Sequence, residues 1–331
     1  MGLLLYGGSK KNPILKFGMA DRWTTYVYYN QKTRKLILPK NFNNCIYARD
    51  MPRDLIILRF GYYYNTEIKE NILPDTLKVL YLGFRYNVKI KLNVLPKELK
   101  ELHFSNDYNH VLEKHILPNA LTHLYFGKEY NREIDIDILP HSLVYLNLGE
   151  KFNQKIKKGT LPVNLESSIM SYCYNQELEE GVLPERLLYL SLGNNFQKEI
   201  KLNVLPNQLK EFRLSRLFNG EIKKNVLPQS IELIEFGRYY QQQDLTHLPI
   251  NLKKIHVENA DTNKHLINNL PFTVEELIFE RLSAKLDNLP STLMKIKILY
   301  PTSNPNYSEY LSKVPFCCEV VDGKNKKITF A

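Results

Sequence analysis

Proline spacing constrains this chain more than any other feature. Pro52, Pro74, Pro96, Pro118, Pro140, Pro162, Pro184, Pro206 and Pro228 stand 22 residues apart, and Pro249, Pro271 and Pro290 extend the series with steps of 21, 22 and 19. A fixed period of this length marks a repeat architecture, in which each unit is one turn of a stack. The 331 residues therefore need no single globular core.

Within each unit Leu precedes Pro, and apolar residues recur three, six and eight places after it: Leu77, Leu80, Leu82; Leu121, Leu124, Phe126; Leu143, Leu146, Leu148; Leu187, Leu190, Leu192. The spacing of two in the last pair is that of a strand. A small residue follows, such as Gly83, Gly127, Gly149 and Gly193, or Ser105, Ser171 and Ser215. Glycine there is expected to let the chain leave the strand through dihedrals closed to other residues. An aromatic and an amide come next, giving Asn65, Asn87, Asn109, Asn131, Asn153, Asn175 and Asn219, with Gln197 and Gln241 as exceptions. Each Asn is predicted to be a rung of a structural ladder whose amides satisfy backbone groups away from the strands. A further Ile precedes the next Leu-Pro, where proline, unable to donate to a sheet, enters the next turn.

One unit cannot fold alone. It offers about six inward side chains at ~1.5–3 kcal/mol each, against an ordering cost of ~1.5 kcal/mol for every residue. Stacked units, with strands paired at a step of about 4.8 Å, share one continuous core. The expected fold is thus an α/β or mostly β solenoid, a leucine-rich-repeat-like curved stack of about twelve coils with a parallel sheet on one face. Residues 1–40, which include "WTTYVYYN" and "RKLILP", read as an N-terminal cap of short strands, 41–300 as the solenoid, and 301–331 as a C-terminal cap with a hairpin at Asp322-Gly323.

The segments "FNQKIKKGTLPVNLESSIMSYCYN" and "YNTEIKENILPDTLKVLYLG" resemble the FNIP repeat family, whose pattern is aromatic-Asn, Ile, Leu-Pro and Leu-x-x-Leu-x-Leu-Gly. The resemblance spans residues 42 to 300. It implies a leucine-rich-repeat-like scaffold of the kind found in social amoebae and giant DNA viruses of amoebae. Some members carry an F-box ahead of the repeats, which would imply recruitment to a ubiquitin ligase. Residues 1–40 lack the helical pattern of an F-box, so an adaptor role would have to use other surfaces.

Residues five and seven places after each Pro point out of the sheet and form two exposed rows. Unlike the core positions they do not repeat, as expected of a surface free to specialise. Tyr81, His103, His123, Tyr125, Tyr145, Asn147, Tyr189 and Arg213 make its most interface-like part, being rich in residue types favoured at protein interfaces. His103 and His123 fall on adjacent coils in different rows, and Glu101 could join His103 only by side-chain reach. Two histidines without a third ligand are weak grounds for a metal.

The sequence holds no Gly-rich phosphate loop, no HExxH and no nucleophile elbow, so no enzyme and no cofactor are expected. The net charge of +10 comes from dispersed Lys. Lys155, Lys157 and Lys158 are followed one coil later by Glu177, Glu179 and Glu180, whereas a phosphate-tracking stripe would keep one sign. A basic nucleic-acid-associated solenoid is therefore disfavoured, and a protein partner preferred. Cys45, Cys173, Cys317 and Cys318 form no CxxC pair, no apolar run approaches a membrane span, and the Met-Gly start is followed by Tyr6 where myristoylation wants Ser or Thr. These features predict an intracellular protein, cytoplasmic and free of the membrane.

Overall fold

The computed structural model describes residues 14–17, 25–241, 247–259, 263–301 and 307–329. The chain forms two compact units, Met1–Leu165 and Glu166–Ala331. Among the described residues no helix is long and apolar enough to cross a membrane.

The first unit contains β1 (Ile14–Phe17), β2 (Thr25–Asn30), β3 (Lys35–Ile37), β4 (Ile57–Arg59), β5 (Val79–Tyr81), β6 (Glu101–His103), β7 (His123–Tyr125) and β8 (Tyr145–Asn147). β1 and β3 each pair antiparallel with β2. From β3 onward the pairing is parallel with no slip: Leu36, Leu58, Leu80, Leu102, Leu124 and Leu146 lie in one register line. All six have 0% of their surface exposed. The ladder thus begins one coil ahead of the first proline of the series.

The second unit contains β9 (Ser167–Ile169), β10 (Tyr189–Ser191), β11 (Glu211–Arg213), β12 (Leu233–Phe236), β13 (Lys254–Asn259), β14 (Glu276–Arg281), β15 (Lys295–Ile298) and β16 (Glu319–Asp322). These too are parallel and consecutive. The steps of 21 and 19 residues leave the register of the outward rows intact, because Leu233 still faces Lys254 and Glu276 still faces Lys295. Length changes are absorbed in the returns. Two short helices, α1 (Lys264–Ile267) and α2 (Tyr307–Tyr310), occupy return segments here. β16 pairs with β15, and the chain then turns back through Asp322 so that Val321 bridges Lys327 antiparallel.

Each unit is a parallel-sheet solenoid whose returns are mainly turns. Two features of the sequence set the coil shape. The aromatic before each Asn is buried and stacks on its neighbour one coil away, as Phe42 on Tyr64 at 6.0 Å and Tyr64 on Tyr86 at 6.0 Å, and in the second unit Phe196 on Phe218 at 6.5 Å. A left-handed residue stands three places before Pro in successive coils: Asn71, Asn93, His115, Asp137 and Gly159, then Gly181, Asn203 and Asn225. Asn, Asp and Gly tolerate that conformation best, and this regularity was present in the sequence without being singled out.

The small residue after the strand has a different cause from the one expected. Positive φ occurs at Gly149 and Gly193 only, among the glycines of that position. The general constraint is contact between coils. A Cβ on Gly127 would lie 1.8 Å from the carbonyl oxygen of Ser105, and one on Gly83 would lie 2.2 Å from that of Gly61. Where serine stands instead, its hydroxyl donates back to the preceding coil, Ser105 to the Tyr86 carbonyl and Ser215 to the Phe196 carbonyl.

Candidate recognition surface

The parallel register converts sequence spacing into two outward rows on each unit. In the first unit one row runs Ile37, Arg59, Tyr81, His103, Tyr125, Asn147 and the other Lys35, Ile57, Val79, Glu101, His123, Tyr145. The rings close on one another. Tyr81 stacks on His103 with centroids 4.1 Å apart, His103 on Tyr125 at 4.0 Å, Tyr125 on Tyr145 at 4.9 Å, and His123 on Tyr145 at 5.8 Å. The Arg59 guanidinium lies 5.7 Å from the Tyr81 centroid. All five rings are half-buried.

Glu101 does reach across to the neighbouring row. Its Oε1 is 2.5 Å from His103 Nε2 and accepts a longer bond from the Tyr81 hydroxyl at 3.4 Å. Burial holds the His103 pKa below the ordinary imidazole range, although Glu101 opposes the shift. Burial likewise raises the Tyr81 and Tyr125 hydroxyls, assisted at Tyr81 by Glu101 and at Tyr125 by Tyr145. Tyr81, His103 and Tyr125 are therefore held toward their neutral forms. Asn147 has a local job in addition, since its Oδ1 accepts the Gly149 N–H at 2.9 Å and shapes the exit from β8. His123 Nδ1 is 2.9 Å from the Thr122 hydroxyl.

Tyr189 and Arg213 belong to the second unit, where the Arg213 guanidinium lies 5.3 Å from the Tyr189 ring. Charge dominates here. Glu235 sits 3.2 Å from Arg213 Nε and 2.9 Å from His256 Nδ1, while Glu258 meets Arg216 and Arg238. Burial works to raise the Glu235 pKa, but His256 and Arg213 outweigh it and hold the carboxyl below its ordinary range. A concave pocket of about 280 Å³ opens among Arg213, Arg216, Glu235, His256, Glu258 and Glu280. Apart from Glu280, its charges are answered within the unit. In the first unit a cavity of about 490 Å³ lies away from the rings, against Leu92, Asn93, His115 and Pro118. No group of three or more His, Cys, Asp or Glu able to hold a metal occurs among the described residues.

The amide positions form hydrogen bonds from coil to coil. Asn65 Oδ1 accepts the Asn87 N–H at 2.8 Å, Asn87 that of Asn109 at 3.2 Å, Asn109 that of Asn131 at 3.0 Å, and Asn131 that of Asn153 at 2.9 Å. In the second unit Asn175 accepts from Gln197 and Asn219 from Gln241, each at 3.0 Å. Only the backbone of the recipient is used, which is why Gln serves at 197 and 241. Asn43, which the sequence reading passed over, accepts from Asn65 at 2.7 Å. The pair Phe42-Asn43 lies 22 residues before Tyr64-Asn65, so the signal was there. These amides are exposed or half-buried.

This register, with its aromatic and Asn ladders, agrees with what comparison finds. The FNIP repeat model matches residues 29–85, 64–107, 86–127, 108–151, 174–216 and 218–246, more than half of the chain. The chain belongs to the FNIP repeat family. Among solved structures the FNIP chain is similar to the giant-virus protein CroV588, described as a novel circular LRR protein, with 32% identity and a TM-score of 0.70. That match covers 86% of this chain and 42% of CroV588, so the chain spans under half the length of its structural relative. No curated protein matches. The fold is a leucine-rich-repeat-like β-solenoid of about twelve turns, of a type that generally serves as a protein-interaction scaffold and is typically non-catalytic.

Proposed function

We propose that this FNIP protein is a non-enzymatic scaffold that binds a protein partner through the outward rows of its sheet, with Tyr81, His103, Tyr125, Tyr145 and His123 at the centre. The observation that carries this reading is the continuous ring stack on the first unit. Rings held by one another lose little further freedom on binding, so contact area is gained at a small entropic cost. Tyr189 and Arg213 extend the reading to the second unit as a separate polar contact. The likeness to a giant-virus protein supports a partner inside a host cell, most simply in its cytoplasm.

The test is affinity purification of tagged protein from amoebal lysate in parallel with a Tyr125→Ala/Tyr145→Ala variant. A discrete protein retained by the wild type and lost from the variant is the expected result, with matching melting curves showing that both are folded. A partner held equally by both would remove the site.

A further inference from the structure

The first unit answers its charges unevenly. On the returns, Lys91 bonds Glu67, Lys89 bonds Glu113, Lys114 bonds Asp137 and Lys157 bonds Glu133, each pair spanning adjacent coils. At the amino-proximal end of the sheet face this pattern stops. Lys35, Lys40 and Arg59 meet no carboxylate within 4 Å among the described residues. Glu101, the acid in the outward rows, is already engaged by His103 and Tyr81.

Apolar surface accompanies these cations. Ile37 is 50% exposed, Tyr63 45% and Phe84 37%. Tyr62 stacks on Phe84 at 4.5 Å, while Lys40 Nζ lies 5.5 Å from the Tyr62 centroid and the Arg85 guanidinium 5.8 Å from that of Phe84. Tyr62 and Phe84 thus each carry a ring and a cation, while Tyr63 keeps exposed surface. Ring edges and hydroxyls, with their positive periphery, suit oxygen acceptors, and the exposed parts of Ile37, Tyr63 and Phe84 suit apolar groups. A nucleic-acid strand would use the same cations, but base stacking, which supplies much of single-strand affinity, would compete with the ring and cation that Tyr62 and Phe84 each already carry.

We infer that the β3–β5 end of the sheet face binds an extended acidic segment of a partner protein, carboxylates meeting Arg59, Lys40 and Lys35 and apolar side chains resting on Ile37, Tyr63 and Phe84. This rests on the proposed scaffold reading and names its partner's chemistry. Unpaired cations beside exposed apolar groups make a site for alternating acidic and apolar residues, and charge complementarity fixes its sign.

The test is fluorescence anisotropy with a fluorescein-labelled peptide repeating Glu-Glu-Leu, using the full chain at moderate salt. An Arg59→Gln/Lys40→Gln variant is expected to bind about tenfold more weakly or worse. A Lys69→Gln/Lys198→Gln variant, altered on the returns, should bind within about twofold of wild type, with unchanged circular dichroism in both cases. Equal weakening by the two variants would reduce the effect to net charge and overturn the inference. So would absence of peptide binding, or tighter binding of an oligo-uridine RNA that depends on the same two cations. A lysate partner that needs Tyr125 and Tyr145 but ignores Arg59 and Lys40 would leave the scaffold reading standing and sink this one.

Discussion

Replacing Asn109 by Ala isolates one rung of the amide ladder. The substitution removes the Oδ1 that accepts the Asn131 N–H at 3.0 Å, while the Asn109 N–H keeps its own bond to Asn87. Had the Asn131 N–H been sealed in the core, its loss of a partner would cost ~1–3 kcal/mol. Both residues are half-buried, so water replaces part of the lost bond, and the expected loss is ~0.5–1.5 kcal/mol. Long repeat arrays do not always unfold in one step, so a global melt alone is a poor gauge. Amide hydrogen exchange at Asn131 reads the local effect, and that energy corresponds to roughly two- to tenfold faster exchange. Asn109→Asp keeps an acceptor oxygen and should restore most of the protection. If Asn131 exchanges at the wild-type rate in Asn109→Ala, the rung contributes nothing and the ladder is an incidental contact.

Three further expectations follow from the packing. Gly127→Ala should destabilise by ~1–3 kcal/mol, since its Cβ would meet the Ser105 backbone at 1.8 Å and the coils must part; a denaturation midpoint equal to wild type would contradict this. Ser168→Ala should stabilise by ~1 kcal/mol in the same assay, because the Ser168 hydroxyl is buried without a hydrogen-bond partner, and a destabilised variant would refute it. Burial raises the hydroxyls of Tyr64, Tyr86, Tyr108, Tyr130 and Tyr174, that of Tyr108 to about 12. The unfolded chain then ionises first, so stability holds below pH 10 and falls as pH rises toward 12, by ~1.4 kcal/mol per pH unit for each such tyrosine. The part of the tyrosinate absorbance that comes from these five should therefore appear only as circular dichroism is lost, and complete titration of all tyrosines near pH 10 with the fold intact would count against it.

How much could be read in advance depended on distance along the chain. The proline ruler, the Leu positions and the outward rows are local regularities, and 22-residue periodicity alone determined that equivalent residues such as Leu80, Leu102 and Leu124 would share a register line. The amides at 65 to 153 and at 175 and 219 were likewise legible, because a ladder only requires the same group at the same place. Glycine at 83 and 127 was visible as a pattern but misread in cause, since what excludes a side chain there is a carbonyl 22 residues away.

The candidate surface divides along the same line. Periodicity sent Tyr81, His103 and Tyr125 outward, but could not say that they would stack, that Glu101 would cross to His103, or that Arg59 would stay unpaired while Lys91 found Glu67. Those outcomes depend on side-chain rotamers chosen among neighbours brought within about 4 Å by coil stacking. A repeat fixes where each side chain starts from; only the packed neighbours decide where it ends.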